Sequence, residues 1–227
     1  MQYVRTVEGI FLSRPNRFLA QVNIQGQEEC CHVKNTGRLG ELLLPGAPVI
    51  LEEHEPGKRK TRYSLIAVWK SGQWINIDSQ APNAAAAEWL AESPLGFPIT
   101  LLKREQRFEE SRFDFHLEGA HGEKAFVEVK GVTLVEDGVA YFPDAPTERG
   151  VKHIQHLIRA KEAGYQAYLL FVIQRKGVLA WKPNERTHPA FAEAVRKAAQ
   201  AGIKILAYDC LVRENGMAID ALVPCYF

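Results

Sequence analysis

The spacing of hydrophobic and polar positions changes character once along this chain. Through residues 1–80, β-branched and aromatic residues gather in the runs Thr6–Leu12, Phe18–Ile24, Glu28–Val33, Pro48–Glu53 and Tyr63–Lys70. Gly26, Asn35–Gly37, Pro45-Gly46 and Pro56-Gly57 separate them. Apolar runs punctuated by such turn residues predict strands. Short strands without helical periodicity suit a small barrel, with the OB-fold as the leading form.

Beyond residues 71–82 the periods mix. Asn83 is placed to cap a short helix over AAAAEWLAE, which stops at Ser93-Pro94 and carries Glu88 as its mid-helix acid. Strands are expected at about 99–109, 112–118 and 124–135. Thr147 then caps a helix Glu148–Ala163, ended by Gly164. Tyr168–Ile173 is continuously apolar, as in a strand buried on both faces. An amphipathic helix Pro189–Ala201, a strand Ile203–Val212 and an apolar, docked tail complete a mixed α/β plan. The chain thus divides into residues 1–80 and 81–227.

Within the second part, Ser111–Lys130 reads SRFDFHLEGAHGEKAFVEVK, two strand-like runs around a glycine-bearing turn. Alternation puts Phe113, Phe115 and Leu117 on one face and Arg112, Asp114 and His116 on the other. In the return run, Phe126, Glu128 and Lys130 oppose Ala125, Val127 and Val129. Paired as a hairpin, the runs bring Asp114 toward Glu128 and Lys130 on one sheet face. Two carboxylates can hold Mg²⁺ or Mn²⁺, and the lysine can orient a water or stabilise negative charge. The same residues also suit an ordinary half-exposed hairpin whose ion pair contributes less than ~1 kcal/mol.

Basic residues cluster locally. Arg14 and Arg17 flank a turn, Arg38 follows Asn35-Thr36-Gly37, and Lys58-Arg59-Lys60 precedes Arg62. Guanidinium groups and turn amides on barrel loops are good phosphate partners, although Lys58–Arg62 reads as a solvated hairpin tip ahead of a specific contact. Phe11 and Phe18 fall within strand periodicity and are assigned to the core ahead of base stacking. On the helix after Thr147, Val151, Ile154, Leu157 and Ile158 form one face. Arg149, Lys152, His153, His156 and Arg159 form the other, which is either a phosphate-facing or a merely solvated surface. His153 and His156 lack a third soft ligand, which argues against zinc.

Composition narrows the class further. The 227 residues are 46% hydrophobic and 24% charged, with a formal net charge of +1, so nucleic-acid binding must come from local clusters. The start of the chain lacks a signal-peptide core, and no run approaches a membrane span, so a cytoplasmic location is expected. Cys30, Cys31, Cys210 and Cys225 have no C-x-x-C spacing and are read as reduced thiols.

The segments SRPNRFLAQV, HVKNTGRLGELLLPG, SRFDFHLEG, AFVEVKGVTL, AYFPDAPTERGVKHIQHL and AGIKILAYDC resemble the sugar fermentation stimulation protein A family over nearly the full chain. The resemblance implies an N-terminal OB-like barrel at 1–80. It also implies a PD-(D/E)XK nuclease-like α/β domain with a central mixed sheet at 81–227. It makes Asp114 and Glu128 the motif's two acids, Lys130 its lysine, and the Val129 carbonyl a further metal ligand. Glu88 would be an auxiliary acid. Arg149, His153 and Gln174 fall where phosphate or metal-bound water is contacted. Arg14, Arg17, Asn35, Arg38, Lys152 and His156 are the candidate nucleic-acid contacts. Phe113 stands where the motif has proline, which removes no ligand. The implied cofactor is Mg²⁺ or Mn²⁺. The implied partner is DNA, with RNA as the second polymer and little sequence preference. No membrane is implied, and a second copy of the chain is a candidate partner. The activity implied is either metal-dependent phosphodiester hydrolysis or non-enzymatic regulation of sugar (maltose) metabolism.

Overall fold

The computed structural model describes residues 1–55, 57 and 60–227. Lys58 and Arg59 of the basic run therefore lie outside the described residues. Strands β1 (Thr6–Asn16), β2 (Leu19–Ile24), β3 (Gln27–Val33), β4 (Pro48–Glu53), β5 (Tyr63–Lys70) and β6 (Gln73–Asn76) form one sheet in the order β3-β2-β1-β4-β5-β6. A parallel pairing of His32 with Ser64 and of Val33 with Leu65 joins β3 to β5 and closes it into a barrel. Alternate residues Ala20, Val22 and Ile24 of β2 and Cys31 and Val33 of β3 fill the interior with Phe11, Leu51 and Leu65. The barrel is OB-like, as its strand pattern predicts. Phe11 takes the expected core place. Phe18 does not: it precedes β2 in the turn, is 47% exposed, and carries the Arg17 guanidinium 5.1 Å from its ring centre.

The remainder is mixed α/β. Helix α1 (Ala81–Ala91) precedes β7 (Ile99–Phe108), β8 (Ser111–Gly119), β9 (Lys124–Val132), β10 (Val135–Glu136) and β11 (Val139–Phe142). Helix α2 (Glu148–Glu162), β12 (Gln166–Ile173), β13 (Ala180–Pro183), α3 (Pro189–Gln200), β14 (Lys204–Arg213) and β15 (Gly216–Leu222) follow. The main sheet runs β15-β14-β12-β9-β8-β7, with β12 parallel to both β9 and β14. Having strands on both edges and helices on both faces explains the unbroken apolar run of β12. Helix α1 covers one face, over Phe115, Val127 and Leu170; α2 and α3 cover the other, over Phe126, Leu169 and Phe171.

Two helix starts differ in legibility. Thr147 caps α2 as predicted, its hydroxyl accepting the Gly150 amide at 3.1 Å. Asn83 does not cap α1, because Pro82, suited to the first turn, starts the helix earlier, at Ala81. The short strands β6, β10, β11 and β13, and the edge strand β15, had no clear run in the sequence. No helix among the described residues is long and apolar enough to cross a membrane.

The two parts meet through buried polar groups. The Gln174 side-chain amide donates to Asn76 Oδ1 at 2.9 Å and to the Asp78 carbonyl at 3.1 Å. Asp78 in turn accepts from Lys34 at 2.9 Å.

Candidate metal and phosphate site

β8 and β9 pair in register from Glu118 opposite Lys124 to Phe115 opposite Val127, and there the ladder stops. A side chain continues it. The Val129 amide donates to Asp114 Oδ2 at 2.7 Å. Where β8 leaves the ladder its alternation breaks. Phe113 packs with Phe108 and Phe126 on the α2 side, while Phe115 and Leu117 lie under α1. The expected common face for Phe113, Phe115 and Leu117 is therefore corrected, since strict alternation needs a regular strand. Asp114 Oδ1 accepts from the Asn83 side chain at 2.7 Å. Asn83, misread as a cap, is thus the residue that ties α1 to this carboxylate.

Glu128 and Lys130 keep the spacing their alternation predicts. Glu128 Oε1 accepts from Lys130 Nζ at 2.5 Å and from His153 Nδ1 at 2.6 Å. The Nε2 of His153 accepts from Arg149 Nε at 3.3 Å, which leaves the ring proton on Nδ1. Glu128 is 2% exposed, and its second oxygen, Oε2, is buried without a hydrogen-bond partner. Asp114, Glu128, Val129, Lys130, Arg149 and His153 line one cavity of about 330 Å³, with Asn83 and Arg112 at its wall.

Burial raises the Asp114 carboxyl, the neighbouring charge of Glu128 adds to this, and the group is pushed up to about 6. Burial acts on Glu128 in the same direction, but Lys130 and His153 outweigh it and hold that carboxyl below the usual range. One acid is thus held ionised by an ammonium and a donating imidazole, while the other is left short of positive charge.

The arrangement has room for a cation. A buried carboxylate oxygen without a partner is costly; Glu128 carries one, and Glu128 and Asp114 line the same cavity. The N–H and C=O of one strand residue leave on the same edge, so the Val129 carbonyl is directed to the edge where Asp114 lies. Among the described residues no three His, Cys, Asp or Glu side chains form a ligand cluster. The donors are therefore two carboxylates and a main-chain carbonyl, hard oxygen ligands suited to Mg²⁺, Mn²⁺ or Ca²⁺.

Other expected site residues are placed elsewhere. Glu88 pairs with the Met1 amino group at 2.5 Å, outside the cavity, because it projects from α1 away from the side that carries Asn83. Gln174 is buried at the junction with the barrel. His156 is only 3% exposed and bonds Ser111, so it leaves the basic face of α2. Lys152 stays exposed, 3.1 Å from Glu110. The Arg14 guanidinium is spent on the carbonyls of Arg17, Asn35, Gly37 and Arg38 at 2.7–2.9 Å. Asn35 is likewise occupied, by the Gly37 amide and the Ile77 carbonyl. Arg17 and Arg38 remain exposed.

Comparison with known proteins fits this layout. The family model described as "SfsA N-terminal OB domain" matches residues 12–77, and "Sugar fermentation stimulation protein RE domain" matches residues 80–216. A sugar fermentation stimulation protein homolog of Desulfitobacterium hafniense is 54% identical over 217 residues, covering 96% of this chain and 94% of that protein. The chain belongs to the sugar fermentation stimulation protein family. Another member, from Ruminiclostridium cellulolyticum, is 50% identical over 223 residues, covering 98% of each chain. The solved structure of Pyrococcus furiosus SfsA in complex with Ca²⁺ superimposes with a TM-score of 0.88 at 31% identity, covering 100% of this chain and 98% of that one.

Proposed function

We propose that this member of the family holds a divalent cation between Asp114, Glu128 and the Val129 carbonyl and hydrolyses phosphodiester bonds in DNA. The observation that carries the reading is the buried, partnerless Oε2 of Glu128, a residue that lines the same cavity as Asp114. A family relative solved with Ca²⁺ accords with an oxygen-rich site of this kind. Bound Mg²⁺ or Mn²⁺ polarises phosphoryl oxygen and lowers the pKa of water.

The chain's own residues supply the remainder. Lys130 and His153 use only Oε1 of Glu128, so Oε2 stays available while the carboxylate remains fixed. Asn83 and the Val129 amide hold Asp114 in one rotamer. Lys130, whose ammonium pairs with Glu128, orients the attacking water and offsets developing negative charge. Arg149 and Arg112, at the cavity wall, take non-bridging phosphate oxygens. Exposed Arg17 and Arg38 on the barrel extend contact along the backbone without reading sequence.

A second reading is a DNA-binding regulator of sugar (maltose) metabolism that cuts nothing. It draws on the pairing of Glu128 with Lys130, which neutralises that acid without a metal. One experiment separates the two. Single- and double-stranded DNA and RNA are incubated with the protein in Mg²⁺, Mn²⁺ or EDTA, beside Glu128→Ala. Metal-dependent cutting of DNA absent from the variant supports the enzyme. Salt-sensitive DNA binding with no cutting above the variant supports the regulator.

A further inference from the structure

A second cavity, of about 190 Å³, opens beside the first and shares Ser79 and Gly131 with it. The floor between them is bare main chain. A Cβ on Gly131 would come within 2.7 Å of both Gln174 Oε1 and Pro82 Cγ, so glycine there lets these two side chains close over the main chain between the cavities. The second cavity lies between the barrel turn at Asn35–Gly37 and the segment Tyr141–Asp144. It is smaller than the roughly 300–1,000 Å³ of pockets that enclose whole drug-sized ligands, and suits one planar ring.

Its lining includes two aromatic residues and one carboxylate. Tyr141 carries the Arg186 guanidinium 5.4 Å from its ring centre. Phe142 is braced on Phe191 at 5.1 Å and on Phe171 at 5.8 Å. Asp144 is exposed and makes no hydrogen bond or ion pair among the described residues. Its carboxylate reaches the barrel turn because position 37 is glycine; a Cβ there would stand 2.5 Å from Asp144 Oδ2.

A free carboxylate repels a phosphate, so the backbone of a bound strand is excluded from this cavity and held at the basic wall of the first. The same carboxylate accepts hydrogen bonds from a base whose pairing edge carries adjacent N–H donors. Guanine presents two, N1–H and the N2 amino group. Thymine presents one, flanked by carbonyl oxygens that repel a carboxylate. In a duplex this edge is already paired, so the base must come from a single strand or be turned out of the helix.

We infer that the Tyr141–Asp144 cavity is a nucleobase subsite, taking an unpaired guanine adjacent to a phosphate held at Arg112 and Arg149 in the first cavity. The inference rests on the nucleic-acid reading above and adds to it the base and the strand state. Its readout needs no turnover.

Binding of 5′-dGMP and 5′-dTMP to the full chain is measured by calorimetry in EDTA. A well-made bidentate base contact discriminates by roughly 5- to 150-fold, so dGMP should bind more tightly than dTMP by a factor in that range. Asp144→Asn should collapse the ratio, Tyr141→Ala should weaken both ligands, and Glu128→Ala should leave the ratio intact. Equal affinities, an unchanged ratio in Asp144→Asn, or no dGMP binding at millimolar concentration would each overturn the subsite. Preference for dGMP without metal-dependent cutting would sink only the hydrolytic reading, and cutting without base preference would sink only the subsite.

Discussion

Asp114 accepts the Val129 amide through its carboxylate, at 2.7 Å, at the rung where the β8–β9 ladder has ended. The bond fixes the carboxyl beside Glu128 and within the protein, where burial and that neighbour push it up to about 6. A strand end is thereby converted into an acid held against its preference for water.

The folded chain therefore binds a proton at Asp114 more tightly than the unfolded chain does. Stability contributed by this group is complete below its ordinary pKa near 4 and is lost as pH rises through about 6. The loss is roughly 3 kcal/mol at most. Chemical denaturation in EDTA at pH 4.5 and 8 should show a fall that Asp114→Asn abolishes. Adding Mn²⁺ at pH 8 should restore stability in the natural chain and not in that variant.

Lys130→Met removes the one cation paired with Glu128 among the described residues. Leaving a buried charge short of a partner costs about 3 kcal/mol, and the metal-free variant should melt earlier by that amount. The same change removes a cation that competes for the carboxylate. Calorimetry should therefore find divalent-ion affinity undiminished while any DNA cutting is lost. Affinity that falls together with cutting would show that Lys130 builds the ion site itself.

Arg14 and Arg38 should separate cleanly. Arg14 bonds four carbonyls around the Asn35–Arg38 turn, so Arg14→Ala should destabilise the barrel by about 2–4 kcal/mol in thermal unfolding. Arg38 is exposed, and Arg38→Ala should leave the melting temperature in place. It should weaken DNA binding and flatten the salt dependence by about one counter-ion.

Gln174→Leu leaves Asn76 Oδ1 and the Asp78 carbonyl with one donor fewer at the junction. A cost of about 1–3 kcal/mol is expected. Hydrogen exchange should localise it to β6 and the end of β12. Protection lost evenly across the chain would contradict a junction role.

Some of the site was legible from spacing alone. Glu128 and Lys130 share a face because they are two apart in a strand that stays regular. Thr147 caps α2 because its hydroxyl needs only the amide three residues on. Asn83 was misread because Pro82 starts the helix before it, and proline tolerance in a first turn is a signal the local sequence did contain. His156 and Arg14 could not be sorted. A basic residue on a helix face or turn looks the same in sequence whether it faces solvent or bonds a buried group.

The sequence by itself determined the elements whose causes are local. These are the barrel strands, the capped helix α2, the doubly buried β12 and the Glu128–Lys130 pair, each decided by periodicity or by a cap within a few residues. Tertiary structure decided what depends on residues far apart in the chain. It brought Asn83, Asp114, Val129 and His153 around one cavity, took Glu88 away from it, and buried His156. The reason is that a hydrogen bond or a desolvated charge depends on distance in space, and only the closed sheet between its helices sets those distances.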